Sequence, residues 1–369
     1  VAIKIQKYGF FAEFIIHIVY VVSKFSFKRV EHYFLDDNPR RLDLPYPTVY
    51  IANHVSELDI PGLATVHKRI QNPRIQYTIP VREDIIQKNF LVKEFRPKGI
   101  FKYILHFVDL TGILPLLFRV VGAVPVKRPF RDNARAMVKE GSLRDQVDKD
   151  WTILSDNIDL GKNVVVFPEG VFSEDGNLRV IKNGIAHLSE KKPGLNYFYF
   201  NFTYDLLSDR KPCLHVGFGE IFQITNGSRK DEISSLIKEK LARTYVVNAA
   251  NLLSFVILSS ESFLGKDKNW ITQTVLDLAK NIQVKEHALV DKELLTGKTL
   301  GIHRVLEVML SKKLINLSKD GIYGKGAKWD LENSSEKPRS YKREKPFTYH
   351  KNQLRAFEPT LLSLLNSLK

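Results

Sequence analysis

The order of apolar and polar positions divides the chain near residue 225. Before that point, short β-branched and aromatic runs alternate with longer stretches whose apolar residues return every three or four positions. The short runs, at 44–52, 75–80, 121–126, 163–167, 196–203 and 213–217, read as strands, and 133–147 and 181–190 read as helices between them. Strands that alternate with helices predict an α/β domain over 46–225, a mixed and partly parallel sheet flanked by helices. Beyond it, helical spacing at 232–243, 248–258, 271–280, 304–314 and 354–368, with no strand, predicts a helical C-terminal extension over 226–369 whose role the sequence does not assign. Inside that extension, 333–346 is charged and nearly free of aliphatic residues, the pattern of a solvated loop or linker.

Two apolar stretches stand apart. In the N-terminal segment 1–45, residues 10–22 are apolar except for Glu13 and His17. Their 13 residues reach ~20 Å as a helix, short of the ~30 Å hydrocarbon core. A helix lying in a membrane interface, with Lys24, Lys28 and Arg29 meeting headgroups, is one reading; an ordinary amphipathic core helix is the other. Residues 99–122 carry Lys102, His106, Asp109, Arg119 and Pro115, which argue against a spanning helix. They read as two short helices meeting near Thr111 and Gly112, either the wall of a greasy groove or plain core. The chain begins with Val1 rather than Met, so a piece of a longer protein is expected.

Composition narrows the class. A 44% hydrophobic content excludes disorder, and a single cysteine, Cys213, excludes a disulfide scaffold. No Cys/His cluster has metal-ligand spacing, so no metal is expected. With 56 Lys and Arg against 41 Asp and Glu, the net charge of +15 calls for polyanionic partners: nucleic acid, anionic lipid, or phosphorylated substrates and acidic carrier proteins. The basic residues are scattered and form no nucleic-acid-binding motif, so nucleic acid is not expected as a partner.

The chemistry concentrates at strand ends. Acid/base catalysis favours a histidine whose second nitrogen is held by a carboxylate. Asn53-His54-Val55-Ser56-Glu57-Leu58-Asp59 follows a strand directly. Residues five apart stand about 140° apart on a continuous helix, so the pair meets only with His54 in the turn and Asp59 on the first helical turn, which Ser56 as a cap permits. His32 and Asp37 repeat the spacing, but in a polar turn with no strand before it. Three further strand ends or helix starts carry charge: Gly122 to Lys127 and Arg128, Phe167-Pro168-Glu169-Gly170, and Arg179 to Lys182 and Gly184.

Together these motifs resemble the glycerolipid acyltransferases, which include glycerol-3-phosphate and lysophosphatidate acyltransferases. Asn53, His54, Ser56 and Asp59 match the family's N-H-x-S-x-x-D, Gly122 to Arg128 is similar to its second block, Phe167 to Gly170 matches F-P-E-G, and Lys182 and Gly184 are similar to the lysine-x-glycine that follows. The segment 215–221 is similar to the family's last conserved strand, and the resemblance covers about 45–225. Two departures stand out. Where the family continues with Thr-Arg-Ser, this chain has Val171, Phe172 and Ser173, and the usual proline of the next strand is missing at 201–205. Beyond Thr225, 248–260 and 351–365 are faintly similar to the C-terminal part of the larger glycerol-3-phosphate and dihydroxyacetone-phosphate acyltransferases.

The resemblance implies direct acyl transfer from a thioester, acyl-CoA or acyl carrier protein, to a hydroxyl of a glycerol-phosphate-type acceptor, with no other cofactor. His54 would take the hydroxyl proton and Asp59 would orient the imidazole. Glu169 would contact the acceptor's glycerol portion, and Arg128 with Lys182 its phosphate. Asn53, Ser56, Lys127, Gly170 and Arg179 would complete the substrate site, and backbone amides after Asn53 or near Gly170 would hold the oxyanion. The resemblance also implies a membrane-associated protein on the cytoplasmic face. A lipid-binding protein of the same fold without turnover, and an acyltransferase for a non-phosphorylated acceptor, are the alternatives.

Overall fold

The computed structural model describes residues 5–35, 42–70, 75–83, 92–93, 99–126, 142–259 and 263–368. Its centre is a seven-stranded sheet of β1 (Arg29–Phe34), β2 (Thr48–Ala52), β3 (Tyr77–Arg82), β4 (Ala123–Val126), β5 (Asn163–Val166), β6 (Asn196–Asp205) and β7 (Cys213–Gln223), in the order β1-β7-β6-β2-β5-β3-β4. All neighbours run parallel except β6 and β7. The expected mixed, partly parallel α/β sheet flanked by helices is what forms, with each of the six sequence-read strands at its place.

Period-two alternation explains the layering. Tyr50, Val165, Phe198, Phe200 and Phe202 face helices Phe10–Ser26 and Asp59–His67, while Val49, Ile51, Val164, Val166 and Tyr199 face helices Ser142–Asp159, Gly184–Lys191 and Lys230–Arg243. β2 is buried at all of its positions, as a central parallel strand must be. Gly184 is fixed by packing: a Cβ there would lie 1.7 Å from the Trp151 ring.

Several expectations change. His32, read as part of a polar turn, sits inside β1, so the sheet draws its edge strand from the N-terminal segment. The helix read at 10–22 extends to Ser26; one stripe of it packs onto the domain through Ala12 and Ile16, while Phe10, Phe11, Phe14 and Phe25 are exposed. Residues 99–122 do form two helices, Ile100–Thr111 and Ile113–Val120, meeting at Gly112. The helix read at 133–147 lies partly outside the described residues; the one observed begins at Ser142. The helix read at 181–190 starts at Gly184, which leaves Arg179 and Lys182 in the loop before it.

The C-terminal part has its own core, built on helices Ala249–Ser259, Lys268–Glu286, Leu300–Ser311 and Glu358–Ser367 around Phe255, Ile271, Leu278, Val305 and Leu361. It is not wholly helical: β8 (Ile315–Leu317) and β9 (Tyr323–Lys325) form an antiparallel pair. The segment 333–346, read as a solvated loop or linker, is a strap: loop with many exposed positions over 334–340, then a short helix, Tyr341–Glu344, and the buried Lys345 and Pro346. Its downstream end is pinned by Glu332, a buried carboxylate that accepts from the amides of Phe347 (3.3 Å) and Thr348 (2.5 Å) at the start of helix Pro346–Asn352.

Candidate active site

Sheet register alone places the first two groups. β2 and β5 are parallel neighbours with Ile51 opposite Val166, so His54 and Glu169 each lie three residues past a paired position. The two chains leave the sheet side by side at its carboxyl edge, where α/β folds form ligand sites. Asn53 extends the β2–β6 contact beyond the last strand pair: its Nδ2 donates to the Phe202 carbonyl at 3.0 Å and its Oδ1 accepts from the Phe202 amide at 2.7 Å. Both ends of that buried amide are thereby used within the protein.

The turn then closes around Asp59. One carboxylate oxygen, Oδ2, accepts from the amides of Val55 (2.7 Å) and Ser56 (3.1 Å) and lies 2.8 Å from His54 Nδ1; the other, Oδ1, accepts from the Tyr204 hydroxyl at 2.6 Å. Ser56 shapes the same turn, its Oγ accepting from the Leu58 amide at 3.0 Å and its carbonyl from the Asp59 amide at 3.0 Å. Helix Asp59–His67 starts at Asp59, the geometry in which His54 and Asp59 can meet. A wholly buried carboxylate with four donors has one stable rotamer. That fixes the imidazole, assigning the proton to Nδ1 and leaving Nε2 for chemistry. The His54 ring packs against Phe167 (centroids 4.5 Å apart) and Phe172 (4.1 Å), with its side chain 19% exposed.

Glu169 belongs to the same brace. It is fully buried, with Oε1 accepting from the His54 amide at 2.9 Å and Oε2 from the Arg179 amide at 2.6 Å. Burial raises its pKa to about 7 against the opposing pull of those two amides. Both its oxygens hold backbone, so the structure places it beneath the loop rather than open to an acceptor. Gly170 makes the turn possible, with φ +67°, and its exposed position lies beside Lys182, which is exposed too. Arg179 lies nearby, its guanidinium 3.9 Å from Glu174. Lys127 and Arg128 lie outside the described residues. Of the backbone amides expected to hold an oxyanion, those of His54, Val55 and Ser56 are engaged by carboxylates, and that of Gly170 by the Phe167 carbonyl.

Two residues at the site come from far along the chain. Tyr204, 145 residues after Asp59, follows from the length of β6, which runs past the end of β2. Lys342 belongs to the strap and donates to the Val55 carbonyl at 2.9 Å, 287 residues away in sequence. Burial holds its ammonium below the ordinary lysine pKa, with Asp59 and Glu57 pulling the other way. Only the hydroxyl of Tyr204 beside a strand end, and the isolated lysine in a charged stretch, were available as signals.

An apolar cavity of about 100 Å3 lies between the sheet and two helices, bounded by Ile16 and Val19 of helix Phe10–Ser26, Ile60 and Leu63 of the helix begun by Asp59, and Tyr50 and Phe200 of the sheet. Of the stretch 99–121 expected to line a groove, Val121 reaches it among the described residues; Ile100, Tyr103, Phe107 and Leu110 are exposed. Among the described residues, Glu31, His215 and Asp291 bring potential ligand atoms within 4.8 Å of one another. Arg29 already pairs with both carboxylates there, at 3.4 and 3.3 Å, supplying the positive charge a cation would bring. Cys213 is buried in β7, and its thiol is raised to about 12, first by burial.

No protein-family profile matches the chain, and no curated protein matches it by sequence. Among solved structures it is similar to the 1-acyl-sn-glycerophosphate (LPA) acyltransferase PlsC from Thermotoga maritima, with 14% identity, 63% of this chain and 77% of that chain covered, and a TM-score of 0.39.

Proposed function

We propose that this chain is an O-acyltransferase that moves a fatty acyl group from a thioester to a hydroxyl of a glycerol-phosphate-type acceptor. The observation that carries the reading is the His54–Asp59 pair, an imidazole with Nδ1 fixed by a fully satisfied buried carboxylate and Nε2 left open. The acceptor hydroxyl gives its proton to Nε2 as its oxygen attacks the thioester carbonyl, and Asp59 stabilises the imidazolium. Collapse of the tetrahedral intermediate breaks the carbon–sulfur bond, and the departing thiolate takes the proton back from His54. No acyl-enzyme forms, and the buried Cys213 has no part in it. The amides of Val171 and Phe172, without a hydrogen bond among the described residues, are the donors left for the oxyanion. The apolar cavity lined by Ile60 and Leu63, on the helix that Asp59 begins, takes acyl methylenes, each worth ~0.8 kcal/mol on burial.

The same reading puts the protein on an anionic membrane surface. Phe10, Phe14 and Phe25 on one helix and Ile100, Tyr103, Phe107, Leu110 and Leu116 on the pair after it are exposed apolar side chains. Among the described residues no helix is long and apolar enough to cross a membrane. The test is to supply vesicles with labelled acyl-CoA or acyl carrier protein thioester, offer lysophosphatidate or glycerol 3-phosphate separately, and identify the lipid made. Labelled diacyl or monoacyl phospholipid is expected. Lipid bound without transfer would leave a binding protein of this fold.

A further inference from the structure

Phe172 stands where the resembling family has an arginine, so residues 171–173 carry no charge beside His54. One face of Phe172 lies on His54, and the same residue also lines a cavity of about 270 Å3. The near wall of this cavity is the turn after His54, through Val55, Ser56 and Glu57; the far wall is the C-terminal strap, through Arg339, Tyr341 and Lys342. Lys342 reaches back to the Val55 carbonyl at 2.9 Å and so holds the strap against the catalytic turn. Arg339 is exposed and uses only its backbone amide internally, on Glu344 at 3.1 Å; among the described residues its guanidinium has no partner. Two carboxylates also line the cavity. Glu174 is already paired, with Lys337 at 3.6 Å and Arg179 at 3.9 Å, which leaves Glu57 alone against the two strap cations.

We infer that Arg339 and Lys342 form the subsite for the phosphate monoester of the acceptor, the C-terminal strap supplying in space a cation where Phe172 brings none. This rests on the acyl-transfer reading. A planar guanidinium takes two phosphate oxygens at once, and the lysine adds a point charge beside it. Phe172 and Tyr341 give the acceptor's carbon skeleton an aromatic wall leading from the phosphate toward His54. The strap then has a reason to be basic and to lie against the site, which a solvated linker would not.

The test is calorimetric titration of the full chain with glycerol 3-phosphate, with glycerol and with coenzyme A, beside transfer from labelled acyl-CoA to lysophosphatidate and to monoacylglycerol. The wild type binds glycerol 3-phosphate and not glycerol, Arg339→Ala weakens that binding by about tenfold or more, and Arg343→Ala, on the short helix that follows Arg339 but outside the cavity lining, binds as the wild type does. Arg339 is exposed, so unchanged thermal unfolding will show that its variant is intact; Lys342→Met checks the second cation. Preference for lysophosphatidate over monoacylglycerol falls by the same factor in Arg339→Ala. Equal binding by wild type and Arg339→Ala, or none by the wild type, overturns the inference. So does a loss seen only for coenzyme A, which carries the other phosphate monoester of the reaction. Transfer without any preference for the phosphorylated acceptor overturns this inference and leaves acyl transfer standing; phosphate binding through Arg339 with no transfer supports it and removes the parent reading.

Discussion

His54 and His32 share a spacing to an aspartate five residues on, and both come from strands of one sheet. His32 sits within β1, an edge strand, opposite Val216 of β7. Its ring stacks on Phe218 with centroids 5.7 Å apart, and its Nδ1 accepts from Arg69 Nε at 3.3 Å. Burial, helped by the Arg69 charge, pulls its pKa down to about 3, so it stays neutral and passive. His54 has left the ladder at the carboxyl end of the central strand, where two parallel neighbours diverge and the backbone is free to turn. A motif of this kind gains its chemistry from where the strand stops. The aspartate spacing matters only once a turn brings the two side chains together.

The largest predicted effect tests that turn. Asp59→Asn can keep the Val55 and Ser56 amides on its carbonyl oxygen and offer its amide to the Tyr204 oxygen, so the fold survives while the charge facing His54 is lost. Turnover should fall by roughly 1,000-fold with near-normal unfolding, the pattern seen when the orienting carboxylate of such a pair is neutralised. A fall of less than tenfold would mean that the pair is only structural.

Glu169 gives a pH signature. Its folded pKa, about 7, lies above the ordinary value of 4.5, so its contribution to stability is full below pH 4.5 and is lost as pH rises toward 7. Each unit of that window is worth about 1.4 kcal/mol, or about 3 kcal/mol in all. Thermal unfolding of the wild type minus that of Glu169→Gln, followed from pH 4.5 to 8, should decline and then level off. A flat difference would contradict the burial argument.

Tyr204→Phe removes one donor to a buried carboxylate, a hydrogen bond worth ~1.5–3 kcal/mol. About 2 kcal/mol of stability should go, with turnover down about tenfold, as denaturant unfolding and initial rates will report. The smallest effect sharpens the comparison from the other side. His32→Gln keeps an acceptor for Arg69 and should leave transfer within about twofold of the wild type by initial rate.

How much of this was legible in the sequence depended on the range of the interaction. Strands buried on both faces, such as 48–52 and 163–166, announce themselves as unbroken β-branched runs. β1 does not, because an edge strand reading Arg-Val-Glu-His-Tyr-Phe carries charge on the positions a central strand would fill with valine. The three-residue strands β8 and β9 are shorter than any periodicity can register. His54 and Asp59 were visible because their contact is local. Tyr204 and Lys342 reach the same turn from 145 and 287 residues away, a closeness that only the topology creates. The strap misled for a related reason: its charged composition reads as solvent-facing, while the few groups that pin it, Glu332 and Lys342, carry charge themselves.

The most direct measurement is transfer of labelled acyl groups from acyl-CoA to lysophosphatidate by the wild type, His54→Ala and His32→Ala in one assay. The account predicts phosphatidate from the wild type and from His32→Ala, and a loss of about 100 to 10,000-fold for His54→Ala with its fold intact. Transfer by His54→Ala within tenfold of the wild type would contradict it.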